Sequence, residues 1–164
     1  MYNIEEKELY KIFLDAEEKL FNSENIKFER NNIWRKKYLK SVAGIYGLFE
    51  DDVLKYVGET GDLLKRMADI TRTVNHSFRK QIGIREFKGI RSTKKFEDEI
   101  EILIDSYFND NLYLKFIEVN FGRLEIETYL VDKYQSQIVN AKKKRKLNYN
   151  YELLKEIEDM KKLK

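Results

Sequence analysis

The clearest pattern of apolar and polar positions along the chain lies between residues 42 and 66. Two short runs of strand-forming residues flank an acidic cluster, and a run with helical spacing follows them. The strand-forming positions are Ile45, Leu48, Phe49, Val53, Leu54, Tyr56 and Val57, and the helical stripe consists of Leu63, Met67 and Ile70. Asp62 precedes this stripe and suits an N-cap. The pattern therefore predicts strand, turn, strand and capped helix.

The length of the turn decides where the two tyrosines of this hairpin point. A three-residue loop at residues 50–52 places Tyr46 and Tyr56 on one face of the sheet, because side chains alternate along a strand. A two-residue loop at residues 51–52 would place them on opposite faces. We expect the longer loop, since two consecutive aspartates suit a tight hairpin turn poorly.

The remaining apolar periodicity predicts helices on both sides of the hairpin and one further strand. We expect helices at residues 3–21, 95–108, 123–135 and 151–163, and a strand at residues 112–119. Asn3 and Glu6 fit a capping box for the first helix, and the last helix is suited to packing or to dimerisation. The predicted fold is α/β (α+β), with a small central three-stranded antiparallel sheet flanked by helices.

Composition indicates one globular domain. The chain has 164 residues, of which 42% are apolar, and this length is sufficient for a buried core. We expect residues 1–41 to form an N-terminal helix and a basic, aromatic connector, residues 42–140 a core, and residues 141–164 a basic run and the last helix. The absence of cysteine excludes disulfides and thiolate sites. No apolar run approaches the length of a membrane span, so a cytoplasmic protein without a membrane partner is expected.

The net charge is only +3, so nucleic-acid binding has to be argued from local clusters. Residues 79–95 contain seven basic side chains and one acid, and we interpret them as a loop that follows a phosphate backbone. For residues 27–40 two interpretations remain open, phosphate contact or a connector with buried aromatics, and residues 142–146 are either a further contact or a linker. The expected DNA contacts are Arg79, Lys80, Arg85, Lys88, Arg91, Lys36 and Lys37.

The helix at residues 123–135 carries an acid where an apolar residue is expected. Glu127 shares a face with Leu124, Leu130, Val131 and Tyr134. A carboxylate in an apolar stripe is costly to bury unless it is paired or binds a metal. Two interpretations follow, a buried salt bridge to Arg66 or Arg123, or a metal ligand. We favour the metal ligand, because perturbed buried acids cluster at functional sites.

His76 is the only histidine of the chain and lies ten residues after Arg66. A lone histidine is most often structural or exposed. Its polar and basic neighbours, Asn75, Ser77 and Arg79, keep a functional interpretation open.

The order of these residues resembles that of the GIY-YIG nuclease family. Gly44-Ile45-Tyr46 and Tyr56-Val57-Gly58 correspond to the two tripeptides that give the family its name. Arg66 matches the arginine of the following helix, Glu127 the glutamate of a later helix and Asn140 the asparagine beyond it. The resemblance extends over residues 42–140.

Two details depart from the family pattern. The chain has no proline before Asn140, and Ile70 stands where many members have a histidine four residues after the arginine. The spacing between the two tripeptides is also slightly shorter than in the family.

The resemblance implies a metal-dependent DNA endonuclease, of restriction or defence type, that uses Mg²⁺ or Mn²⁺ and could act as a homodimer. It implies Tyr46 as general base, Tyr56 as a group that orients water or phosphate, and Arg66 as a phosphate clamp. It further implies Glu127 as metal ligand, His76 as a group that positions or deprotonates the nucleophile, and Asn140 as a residue that holds the site together. The alternative is a non-catalytic DNA-binding module that retains the nuclease fold.

Overall fold

The computed structural model describes residues 4–89, 95–140 and 147–163. In these ranges the chain forms seven helices and one four-stranded antiparallel sheet of order β1-β4-β2-β3. The strands are β1 (Ile26–Lys27), β2 (Gly44–Glu50), β3 (Val53–Thr60) and β4 (Leu112–Glu118). The helices are α1 (Glu6–Asn22), α2 (Asn32–Tyr38), α3 (Leu63–Asp69), α4 (Ser77–Arg85), α5 (Asp98–Asn111), α6 (Arg123–Tyr134) and α7 (Tyr151–Lys162). The expected mixed fold is confirmed.

The prediction of three strands is wrong, because the segment before α2 contributes a short fourth strand. Ile26 and Lys27 pair with β4 at its outer side. Trp34 on α2 is buried, and its indole N–H donates to the Lys27 carbonyl at 2.7 Å. Phe28 packs against the same indole. The aromatic residues of this segment therefore belong to the core.

The predicted hairpin turn is also wrong, although its consequence for the tyrosines holds. Glu50 pairs directly with Val53, so the loop contains only two residues. Lys55 is then an additional residue in β3, a bulge that shifts the register by one. This shift restores the alternation, and the rings of Tyr46 and Tyr56 lie stacked on one face with centroids 6.2 Å apart.

The two faces of the sheet bury different clusters. One face carries Tyr46 and Tyr56 and packs against α3, α4 and α5. The other face carries Ile45, Phe49 and Val57 and packs against α1, α6 and α7. The last helix thus packs on α1, which is the first of the two roles expected for it.

Two further expectations are corrected at helix ends. The N-cap of α1 is Glu5, without a side-chain cap, so the helix begins later than predicted; Asn3 of the predicted capping box lies outside the described residues. The segment interpreted as a basic loop is helical up to Arg85, because α4 packs an apolar face onto α5 through Phe78 and Ile82. None of the helices in the described ranges is both long and apolar enough to cross a membrane.

Candidate functional site

Tyr46 lies in the middle of β2, on the face that is covered by α3 and α4. Gly58 is its direct partner on β3. A Cβ atom at Gly58 would lie 2.5 Å from both Cζ and Oη of Tyr46, so the ring crosses β3 only because this residue is a glycine. The hydroxyl group is thereby directed towards the first turn of α4.

Two nitrogen atoms from different helices converge on the hydroxyl oxygen of Tyr46. Arg66 Nε donates to Tyr46 Oη at 3.1 Å, and His76 Nε2 lies 2.8 Å from the same atom. Arg66 is positioned by the capped start of α3, where Asp62 accepts hydrogen bonds from the Lys65 N–H at 2.9 Å and from Ser41 at 2.6 Å. The N-cap predicted from the sequence is therefore confirmed.

His76 forms the N-cap of α4 and is almost completely buried, at 1% exposure. Its Nδ1 accepts a hydrogen bond from the Phe78 N–H at 3.2 Å. Burial, together with the positive charges of Arg66 and Lys80, lowers the pKa of His76 to about 3. The imidazole is therefore neutral at physiological pH. The next residue, Ser77, lies at the surface, and its hydroxyl is 3.1 Å from Tyr56 Oη.

The environment of Tyr46 keeps its phenol protonated in the free protein. Burial raises the pKa of Tyr46 well above its ordinary value, and the neighbouring Tyr56 and Glu127 raise it further. The Arg66 guanidinium acts in the opposite direction and lowers this pKa. Any role of Tyr46 as a base therefore requires a change in its surroundings when a substrate binds.

Glu127 lies on α6, which packs against the edge strand β3, and is 5% exposed. Its negative charge is the smallest of the named influences on the pKa of Tyr46, which it raises. The predicted apolar stripe is interrupted, because Leu124 is 41% exposed, whereas Leu130 and Val131 are buried. Of the two arginines considered as salt-bridge partners, Arg123 pairs with Glu59 at 3.2 Å.

The residues present fit one ligand position for a divalent cation. Within the described ranges no three histidine or acidic side chains are grouped as a metal site. One carboxylate, completed by water and phosphate oxygens, is a donor set that Mg²⁺ accepts, since this ion retains much of its hydration. The buried carboxylate of Glu127 is the candidate for this position.

Asn140 holds the outer edge of β3. Its side chain accepts from the Val57 N–H at 3.1 Å and donates to the Val57 carbonyl at 2.7 Å. The Val139 N–H donates to the carbonyl of the bulged Lys55 at 2.8 Å. Residues 137–140, which we call the strap, thus fix the strand that presents Tyr56 and Gly58.

The predicted DNA contact at Arg79 is not compatible with the structure. This side chain is 1% exposed and forms ion pairs with Glu101 at 2.7 Å and Asp105 at 2.6 Å. Its Nε also donates to Thr73 Oγ1 at 3.0 Å. Arg79 therefore holds α4 on α5 and does not reach the surface.

The other predicted contacts have different surroundings. Lys36 and Lys37 are exposed on α2, Arg85 and Lys88 are exposed at the end of α4, and Lys80 is half-buried. Arg91 and the basic run at residues 142–146 lie outside the described residues. The helix α2 packs beside α3, the helix that carries Arg66.

An open surface cavity of about 350 Å³ reaches Arg66 from solvent. It is lined by Arg66 together with Glu59, Thr60, Gly61, Asp62, Lys65 and Asp69. Sequence reasoning missed two participants, the close approach of Gly58 to Tyr46 and the contact of Ser77 with Tyr56. The glycine after Tyr56-Val57 was a signal for the first, whereas nothing in the pattern indicates the second.

Comparison with protein-family models, curated proteins and solved structures gives no match.

Proposed function

We propose that the protein is a metal-dependent endonuclease of the GIY-YIG kind, of restriction or defence type, that hydrolyses phosphodiester bonds in DNA. The observation that carries this proposal is the convergence of Arg66 and His76 on the hydroxyl oxygen of Tyr46. It occurs inside a hairpin with both family-like tripeptides, and the charge of the buried Glu127 is among the influences on the pKa of Tyr46.

A purely structural tyrosine accounts for this arrangement poorly. Packing of the ring requires neither a guanidinium nor an imidazole at the hydroxyl, and burial of polar groups carries a free-energy cost that core packing avoids. Arg66 also lines the open cavity, so it connects the buried oxygen with a surface that a phosphate can reach. Planar arginine side chains suit phosphate oxygens because they donate several hydrogen bonds in a fixed geometry.

In the proposed reaction, Tyr46 Oη takes a proton from the attacking water. This requires the phenolate, which Arg66 favours through its charge and its hydrogen bond. The remaining N–H groups of Arg66 bind the non-bridging oxygens of the phosphate and offset the charge of the transition state. Tyr56 and Ser77, at the mouth of the same face, orient the water or the phosphate.

Glu127 would hold the divalent cation at the edge of β3. When bound, Mg²⁺ or Mn²⁺ would neutralise phosphate charge, stabilise the leaving oxygen and offset the Glu127 charge that raises the pKa of Tyr46.

The basic side chains beside the site provide an approach for the phosphate backbone. Exposed lysines lie on α2 (Lys36 and Lys37), just after its end (Lys40) and on α3 (Lys65). The two helices are joined where the Leu64 N–H donates to the Lys40 carbonyl at 3.2 Å. We call these four lysines the α2–α3 basic surface and propose that it binds DNA next to the scissile phosphate.

The test is cleavage of supercoiled plasmid with Mg²⁺, with Mn²⁺ and with a chelator. Wild type is compared with Glu127→Gln, which removes the charge but keeps the shape, and with Glu125→Gln on the same helix. We expect metal-dependent nicking or linearisation that is lost only in Glu127→Gln. Linearisation would further support a homodimer with two sites, and RNA assayed in parallel decides the substrate.

The alternative function is a non-catalytic DNA-binding module with the same fold. It is favoured by one observation, the strongly raised pKa of Tyr46 in the free protein. Retained DNA binding without cleavage, with every metal and substrate tried, would overturn the endonuclease in favour of this module.

A further inference from the structure

The two ring nitrogens of His76 have separate partners, and one of these partners fixes the position of the proton. The Phe78 N–H lies 3.2 Å from Nδ1 and is able only to donate. Nδ1 must therefore present a lone pair. A neutral imidazole carries one N–H, and with Nδ1 occupied in this way the proton resides on Nε2.

This tautomer defines the direction of the hydrogen bond to Tyr46. His76 Nε2 lies 2.8 Å from Tyr46 Oη, and because it carries the proton it acts as the donor. Arg66 Nε donates to the same oxygen at 3.1 Å. The hydroxyl oxygen therefore accepts two hydrogen bonds, an arrangement that favours the phenolate over the phenol.

We infer that His76 is a positioning residue that donates its Nε2–H to Tyr46 and stabilises the phenolate, and that it does not accept the phenol proton. Transfer to Nε2 is blocked because this atom is already protonated. Transfer to Nδ1 would break the cap of α4 at Phe78. It would also create an imidazolium beside the positive charges of Arg66 and Lys80. The catalytic use of this phenolate rests on the proposed function, whereas the proton position does not.

The proton balance follows from this assignment. Tyr46 loses its phenolic proton to solvent and regains one proton from the attacking water, and the leaving oxygen takes its proton from solvent when the P–O bond breaks. His76 keeps its single proton throughout. The charged and titratable groups that face it are Tyr46 on β2, Tyr56 on β3, Arg66 on α3 and Lys80 on α4.

The first test is direct, because the chain contains one histidine. In protein labelled with ¹⁵N-histidine, long-range ¹H–¹⁵N correlation spectra distinguish a protonated from an unprotonated ring nitrogen. We expect a protonated Nε2 and an unprotonated Nδ1 at neutral pH, in wild type and in Tyr46→Phe alike, since the Phe78 contact sets the tautomer. A protonated Nδ1, or a doubly protonated ring, would overturn the inference.

The second test separates the two contacts of His76 with a matched pair of variants. His76→Asn keeps an acceptor for the Phe78 N–H but lacks a donor that reaches Tyr46. His76→Gln is longer and presents an N–H towards Tyr46. The phenolate absorbance of Tyr46 is obtained as the difference between each protein and its Tyr46→Phe counterpart.

We expect the Tyr46 pKa to rise further in His76→Asn, because a hydrogen bond to the charged form is lost. His76→Gln should recover part of this rise, and the rising limb of the cleavage pH profile should move in the same order. An unchanged or lowered Tyr46 pKa in His76→Asn would contradict the inference.

Neither the spectra nor the phenolate titration requires cleavage. A protein that cuts nothing but carries its proton on Nε2 would overturn the proposed function and leave this inference in place. A protein that cuts DNA but carries the His76 proton on Nδ1 would support the proposed function and overturn this inference.

Discussion

Helix α4 supports two buried polar clusters three residues apart, and they differ in how their charges are compensated. At Arg79 the guanidinium is enclosed by Glu101, Asp105 and Thr73, so a cation faces two carboxylates. At His76 a neutral imidazole and the cation of Arg66 meet at the neutral phenol of Tyr46. In the first cluster opposite charges compensate one another. The second cluster contains a hydroxyl group whose ionisation depends on its neighbours.

The difference teaches that buried polarity alone does not mark a functional site. Arg79 stands in a basic run and was predicted to bind DNA, yet its acidic partners on α5 make it part of the core. His76 lies three residues before this run, and its surroundings include a tyrosine and a cation that lines an open cavity. The kind of partner, rather than the charge of the run, separates the two clusters.

The substitution with the largest expected effect removes the Tyr46 hydroxyl, on which Arg66 and His76 converge. Tyr46→Phe should lower the cleavage rate about 100- to 10,000-fold, because the proposed general base is removed. The buried donors of His76 and Arg66 lose their acceptor, which should also destabilise the fold by about 1–3 kcal/mol. The matched control is Tyr129→Phe, whose hydroxyl donates to Glu17 at 2.9 Å on the other face of the sheet. Plasmid cleavage at the wild-type rate by folded Tyr46→Phe would refute the role of this residue.

The next effect breaks the Arg79 cluster and should affect stability rather than DNA binding. Arg79→Met removes the cation that lies between Glu101 and Asp105, although Asp105 keeps its ion pair with Arg30. We expect the free energy of unfolding to fall by about 3–5 kcal/mol, because Glu101 loses its buried cation. Urea unfolding measures this change, with the exposed Lys88→Met as control. DNA affinity per folded molecule should be unchanged in Arg79→Met. A stable Arg79→Met protein with weakened DNA binding would instead support the predicted role of Arg79 as a DNA contact.

The third prediction concerns the pH dependence of stability, to which His76 should contribute. The pKa of His76 is about 3 in the folded state, against about 6.5 for an ordinary histidine. Below this ordinary value the unfolded chain binds a proton that the folded protein refuses, so stability is lost as the pH falls from about 6.5 to about 3.

The loss should reach about 2–3 kcal/mol between pH 7 and pH 4.5, at up to about 1.4 kcal/mol per pH unit. The asparagine in His76→Asn cannot ionise, so this variant should lack the loss of stability that His76 causes at acidic pH, whatever its stability at pH 7. The measurement is the difference between the two proteins in unfolding free energy across this range. Parallel curves would show that His76 is not held neutral.

The smallest expected effect concerns the glycine that admits the Tyr46 ring. Gly58→Ala places a Cβ 2.5 Å from the ring and should cost about 1–3 kcal/mol through overpacking. It should also lower the cleavage rate by more than the loss of folded protein accounts for, because Tyr46 Oη is displaced from Arg66 and His76. Gly61→Ala is the control, since a Cβ there meets no atom within 4 Å. Equal effects of the two substitutions on melting temperature and rate would exclude this role of Gly58.

The parts of the fold that local patterns determine were predictable from the sequence. The hairpin, the Asp62 cap and the positions of β4 and α6 follow from apolar spacing and capping chemistry. The shared face of Tyr46 and Tyr56 was predicted correctly but from the wrong turn, because a bulge at Lys55 compensates for the shorter loop. Bulges depend on tertiary packing and leave little trace in alternation.

The sequence predicted the order of the candidate site residues along the chain but not the distances between them. The approach of His76 to Tyr46 depends on how α4 packs across the sheet, and the sequence contains no measure of that distance. The burial of Arg79 depends on acids of α5, which are remote along the chain. A two-residue strand such as β1 is too short for any periodicity to appear.

The strap has a consequence for how copies of this chain can associate. Open strand edges are the usual route by which sheets join across molecules or aggregate. Here Val139 and Asn140 already occupy the Lys55 carbonyl and both backbone groups of Val57 on the outer side of β3. A neighbouring molecule would have to displace the strap before its own strand could extend the sheet on this side. Association through helices leaves both the strap and the tyrosines undisturbed.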